Sequence, residues 1–139
     1  MMNTIISLIA AAVTFGTVLM YGTLGEVLTE RSGNLNLGVE GMMFMGGAFG
    51  LGGVFYYEQA VGEGNSSAAV ALLIALASAF AAGAIASLIF SFLTITLRAN
   101  QNVTGLALTI FGTGVGEFTG EYMRVHQGGY VALSNHLKE

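Results

Sequence analysis

The sequence predicts an all-α integral membrane protein of about four transmembrane helices, and three observations carry that reading. Of the 139 residues, 54% are hydrophobic and only 9% are charged, against about 25% charged in a soluble domain. The mean hydropathy is +0.73. Long apolar runs are separated by short polar stretches, and glycine is abundant at 21 residues, as it is where membrane helices pack backbone to backbone.

Composition also excludes whole classes of function. With no cysteine the chain has no disulfide framework, thiol chemistry or Cys-based zinc site. A net charge of −4 with four basic residues excludes nucleic acid as a partner. No Lys or Arg precedes Arg31, so the basic n-region of a cleaved leader is missing, and the first apolar run reads as a retained span.

Taken in order, the first span is expected over 3–28, free of charge before Glu26 and thinned by Gly16, Gly22 and Gly25. A spanning helix needs about 20 residues. The second is expected over 38–57, with Gly41, Gly46, Gly47, Gly50, Gly52 and Gly53 as close-packing or kinking positions. Tyr56 and Tyr57 then stand where aromatic belt residues belong. A polar linker from Glu58 to Ser67 contains Glu58 and Glu63.

The third span is expected over 68–97, about 45 Å long at ~1.5 Å per residue, so tilt or protrusion follows. Its feature is a small residue at every fourth position: Ala71, Ala75, Ala79, Gly83, Ser87 and Ser91, read as a helix-packing face. Arg98-Ala-Asn100-Gln101-Asn102 forms a short polar turn. The fourth span, 103–122, carries a second small-residue seam in Gly112, Gly116 and Gly120, with Glu117, Glu121 and Arg124 on one face near its end. A polar tail, 125–139, follows. Arg31 and Arg98 fall on one side and Glu58, Glu63 and Glu121 on the other. The positive-inside rule therefore puts both arginines in the cytoplasm and the N-terminus outside a multi-pass membrane chain.

No catalytic residue and no metal site is expected. His126 and His136 lie ten apart with no second ligand pair, and Gly112-Thr-Gly-Val-Gly116 lacks the flanking strand and Lys-Ser/Thr of a phosphate loop. The chemistry concentrates instead in the polar island Gly25–Gly41. Its polar groups cannot lie in bare lipid, so it sits at a water interface or is held against protein. Glu30 and Arg31 suit an interfacial position. Glu26, Asn34, Asn36 and Glu40 are candidates for lining or bracing a polar pathway. The two asparagines suit sugar hydroxyls and equally suit holding a re-entrant turn together.

The island, with Gly25-Glu26, Glu30-Arg-Ser-Gly33, Asn34-Leu-Asn-Leu-Gly38 and Glu40-Gly41, and a second block, Leu97-Arg-Ala-Asn100-Gln101-Asn-Val-Thr-Gly105-Leu-Ala-Leu108, resemble the permease subunits of ATP-binding-cassette importers for nucleosides and simple sugars. These belong to the branched-chain amino acid and ribose permease group. The resemblance covers about Phe15 to Gly120. It implies part of a type-II-importer-like permease bundle working by alternating access, with Glu26, Asn34, Asn36, Glu40, Asn100 and Gln101 near the substrate pathway. It further implies ATPase subunits that hold the ATP, a second permease subunit, an extracytoplasmic substrate-binding protein and a cell-membrane location; no cofactor is expected on this chain itself.

Two departures stand out. The family places a proline in its first span, where this chain has Thr17 and no proline anywhere. Family members are expected to be roughly twice this length, so the chain corresponds to an N-terminal half: a truncated product, a fragment or one part of a split permease. The rival expectation is a stand-alone small membrane protein that forms a helix-packed oligomer or pore without coupled transport.

Overall fold

The computed structural model describes residues 2–62 and 65–126. Over these the chain forms α1 (Met2–Arg31), α2 (Val39–Val61), α3 (Ala68–Ser91) and α4 (Gln101–His126), with a short π-helical turn, Phe92–Thr96, closing α3. The described residues are thus all-α. Helices α1 and α3, the latter with its π turn, are each long and apolar enough to cross a bilayer unaided. Glycine, threonine and glutamate dilute α2 and α4, which depend more on their neighbours.

Helix ends depart from the apolar runs. Helix α1 continues through half of the polar island, because Glu26 to Arg31 are ordinary helix formers. It stops at Gly33, whose φ of +87° only glycine adopts freely. Gly33 N–H donates to the Glu30 carbonyl at 2.9 Å and Asn34 N–H to the Thr29 carbonyl at 3.0 Å, the paired bonds of a Schellman cap. Helix α4 likewise outruns its apolar stretch at both ends. Asn100 starts it by accepting the Asn102 and Val103 backbone N–H groups at 3.0 and 3.2 Å, and it runs on through Arg124, whose Nε donates to Glu121 Oε2 at 2.8 Å. Glu63, His136 and the tail beyond His126 lie outside the described residues.

Helix α2 is the centre of the bundle. Against α3 it runs antiparallel: a Cβ on Gly50 would stand 3.3 Å from the Ala75 carbonyl and 3.4 Å from Ala79 Cβ. Against α4 it runs parallel, with Gly41 beside Leu108 and Thr109, and Gly52 beside Met123. Met42, Met45, Ala86, Phe90 and Leu108 form the core where the three helices meet.

The small-residue stripe of α3 is used only in part. Ala71 is buried, Ala75 and Ala79 touch Gly50, and Ser87 Oγ reaches Met42 Sδ at 3.6 Å, but Gly83 faces open space. Ala82, Ala86 and Phe90, off the stripe, share the contact. At ~3.6 residues per turn, four residues overshoot a turn by about 40°, so a strict four-residue stripe winds off any straight neighbour. On α4, Gly112 sits against Gly41 and Gly116 beneath the Phe44 ring, while Gly120 is open.

Candidate functional site

The non-helical part of the polar island, Ser32 to Gly38, is laid across the first turns of α4 and fastened there. The Gln101 side chain works at both its ends. Its Oε1 accepts Leu35 N–H at 2.9 Å, and its Nε2 donates to Asn34 Oδ1 at 3.0 Å and to the Gly33 carbonyl at 3.4 Å. One turn on, Gly105 removes any obstacle: a Cβ there would meet Leu37 N at 2.7 Å. One turn further, Thr109 Oγ1 donates to the Leu37 carbonyl at 2.8 Å. Residues 101, 105 and 109 share one helix face at four-residue spacing, and that face is the bed of the turn.

Asn36 makes the turn into α2. It is only 5% exposed, and its Oδ1 accepts Gly38 N–H at 2.9 Å, a side chain standing in for a backbone turn. Its Nδ2 reaches Met42 Sδ at 3.7 Å. The Asn36 backbone N–H donates to Glu26 Oε1 at 3.0 Å, and the Thr29 hydroxyl, with one proton to give, stands 2.9 Å from the Glu26 carbonyl oxygen and 3.2 Å from Glu26 Oε2. Glu26 therefore ties α1 to the turn, a bond strengthened by the carboxylate's charge.

Asn34, Asn36 and Gln101 are thus brought together in one clasp, with Glu26 as its latch and Asn100 as the cap of the helix that carries it. Apart from Asn34 Nδ2, their side-chain polar groups are spent on the fold: of the two roles open to the asparagines, holding a turn is the one this geometry displays. Glu40 stands apart. It lies on the first turn of α2, exposed, and with Glu26 lines a cleft of about 550 Å³ between α1 and α2.

The contributions of Thr29, Gly105 and Thr109 were invisible to residue type alone. The four-residue spacing from Gln101 is the signal that links the last two. A second, wholly different space of about 360 Å³ lies between the π end of α3 and α4, walled by Ile89, Phe90, Leu93, Leu108 and Phe111 among others. Arg98, in the connection from α3 to α4, has a φ of +52°. Arg31 and Arg98 flank the two connections that Gln101 bridges, so both lie at one end of the bundle. At the other end Tyr57 Oη accepts Ser67 N–H at 3.1 Å. Among the described residues no group of three or more metal-binding side chains occurs.

Comparison with known proteins places this arrangement. The family model described as branched-chain amino acid transport system / permease component matches residues 7–130. A putative glucose ABC transporter permease protein, TsgC13 of Haloferax volcanii, is 42% identical over 113 residues, 81% of this chain and 31% of the relative. The guanosine ABC transporter permease protein NupQ of Bacillus subtilis is 35% identical over 107 residues, 77% of this chain and 32% of the relative. The nucleoside ABC transporter permease protein NupC of Lactococcus lactis is 28% identical over 116 residues, 84% of this chain and 35% of the relative. The matched segment makes up about a third of these relatives, less than the half expected from the resemblance. No solved structure matches the chain. The match across nearly the whole chain, with relatives that are ABC transporter permeases, establishes that this protein belongs to the branched-chain amino acid transport system / permease component family.

Proposed function

We propose that the chain supplies the N-terminal helices of the permease subunit of an ATP-driven importer for nucleosides or simple sugars. The observation that carries the reading is the family match over residues 7–130, joined to relatives that are named as glucose, guanosine and nucleoside permeases. In this reading the helices cross the cell membrane several times with the N-terminus outside. ATP is hydrolysed on separate ATPase subunits, a second permease subunit completes the pathway, and an extracytoplasmic binding protein delivers the substrate.

The geometry supports a division of labour within the polar island. A chain that must alternate between two states needs parts that do not deform, and Gln101 ties three backbone or side-chain groups of the turn to α4, with Thr109 tying a fourth. Asn34, Asn36, Asn100 and Gln101 then serve as the rigid frame of the pathway's mouth. Glu40 is the pathway-facing polar group, with Glu26 behind it. Transport requires paired helical units moving against each other, so partners are integral to the proposal.

The test is purification of the tagged chain from membranes in mild detergent, with mass spectrometry of what accompanies it. Recovery of an ATPase subunit and a second permease supports the importer. A clean homo-oligomer without either defeats it in favour of a stand-alone helix-packed assembly.

A further inference from the structure

The groove of about 360 Å³ between α3 and α4 is walled almost wholly by hydrocarbon. Phe90 and Leu108, each 5% exposed, form its floor. On α4 it extends from Val103 to Phe111, about 12 Å at ~1.5 Å per residue. That is close to one leaflet of a hydrocarbon core about 30 Å thick. Its two helices are antiparallel, so the groove runs along the bundle axis, the direction of a lipid acyl chain.

The end of the groove nearest the α3–α4 connection is polar. Thr104 lines it and is only 8% exposed, yet its hydroxyl makes no hydrogen bond among the described residues. Other helix hydroxyls bond back one turn: Thr94 Oγ1 donates to the Phe90 carbonyl at 2.8 Å and Thr113 Oγ1 approaches the Thr109 carbonyl at 3.0 Å. A hydroxyl left unpaired in an apolar groove is costly, and an occupant with an acceptor oxygen at that depth removes the cost.

Arg98 stands at the same end. Leu97 N–H donates to the Phe92 carbonyl at 3.1 Å and Ala99 N–H to the Leu93 carbonyl at 2.9 Å, so the backbone on either side of Arg98 is fastened to the π turn, and Leu93 lines the groove. The Arg98 side chain is exposed and enters no ion pair among the described residues. Its φ of +52° is one that glycine adopts freely and arginine does not. The bend gains nothing from an arginine, so what this residue adds is its charge.

We propose that the groove holds an anionic phospholipid from the leaflet on the Arg98 side. One acyl chain lies along Phe90, Leu108 and Phe111, the Thr104 hydroxyl donates to a glycerol-linked oxygen, and Arg98 pairs with the phosphate. The depth order of the site, cation then donor then hydrocarbon, is that of the lipid itself. In the proposed orientation this is the cytoplasmic leaflet, where anionic lipids gather. A zwitterionic lipid brings the same chain and oxygens, but its own ammonium competes for the phosphate. The site rests on the membrane-spanning reading and is independent of what the protein transports.

The experiment is native mass spectrometry of the full chain in detergent micelles, titrated with dioleoylphosphatidylglycerol or dioleoylphosphatidylcholine. One phosphatidylglycerol per chain is expected, with phosphatidylcholine about tenfold weaker. Arg98→Gly should abolish that preference with the melting temperature unchanged or raised, and Arg98→Lys should keep most of it. Thr104→Val should weaken both lipids about threefold. Arg31→Gln, the same loss of charge at the same end of the bundle, should bind as the unaltered chain does. A diazirine in the acyl chain should cross-link within residues 89–111. The site is overturned by equal retention of the two lipids, by full retention in folded Arg98→Gly, by indifference to Thr104→Val, or by an equal loss in Arg31→Gln. Cross-links confined to other residues overturn it too, as does a cross-link from position 111 to a second copy or another subunit in place of lipid. Recovery of an ATPase subunit is a separate outcome: the importer stands or falls without the lipid, and the lipid site without the importer.

Discussion

Helix α1 and the α2–α3–α4 unit are built from the same kinds of residue and behave oppositely. In the three-helix unit, glycine brings backbones together: a Cβ on Gly41 would stand 2.5 Å from Thr109 Cα, and one on Gly112 the same distance from the Gly41 carbonyl oxygen. On α1, Gly16 and Gly25 face open space. Leu8, Phe15 and Leu19 are each two-thirds or more exposed. Between helices in lipid the attraction is close packing rather than escape from water, so α2, α3 and α4 cohere by contact while α1 is attached chiefly through Glu26 and through Gly22 beside Met43. Small residues on a helix therefore mark where a neighbour is able to come close, and only the presence of a neighbour makes them contacts.

The strongest way to break this contrast is Gly112→Val. Its side chain meets backbone that cannot retreat, so a loss of about 3 kcal/mol is expected, read as a lowered thermal unfolding temperature in detergent. Gly83→Ala, with open space around it, should be neutral or gain up to about 1 kcal/mol from helix propensity. Equal losses at the two sites would refute the assignment of Gly112 as a contact.

Gln101→Ala comes next. It leaves the Leu35 N–H and the Asn34 side chain without partners, at a cost of about 1–3 kcal/mol, and hydrogen exchange at Leu35 should accelerate. Unchanged exchange there would show that the turn does not depend on the clasp.

A smaller effect is expected from Glu26→Ala. Loss of the latch should cost on the order of 1 kcal/mol and broaden the distance between spin labels on α1 and α2, leaving α2–α3–α4 distances alone. Glu26→Gln keeps an acceptor for Asn36 N–H and should fall between. The smallest effect is Gly25→Ala, neutral within about 1 kcal/mol in the isolated chain. A marked cost appearing only when partner subunits co-purify would identify what covers α1.

Much of the helical order was legible because long apolar runs admit few alternatives in lipid. Boundaries were less so. Thr29 to Arg31 looked like loop by polarity, yet nothing in those residues breaks a helix, and the true stop is the positive φ of Gly33. The π turn at Phe92–Thr96 has no residue that announces it. The winding of the α3 stripe follows from helix geometry but needs the position of α2 to say where contact ends. The site was legible as a set and not as a mechanism. Asn34, Asn36, Glu40, Asn100 and Gln101 stand out by type, but which of them spend their hydrogen bonds on each other depends on helices meeting in space.

The Gln101 clasp also sets a clock. Leu35 and its acceptor are 66 residues apart in sequence. At a synthesis rate of about 5–20 residues per second, α4 follows the turn by roughly 3 to 13 seconds. Through that interval the α1–α2 hairpin exists with the Leu35 N–H still lacking the partner it has in the finished fold. Its connection can close only when α4 arrives, so the fourth helix made is the one that completes the first turn.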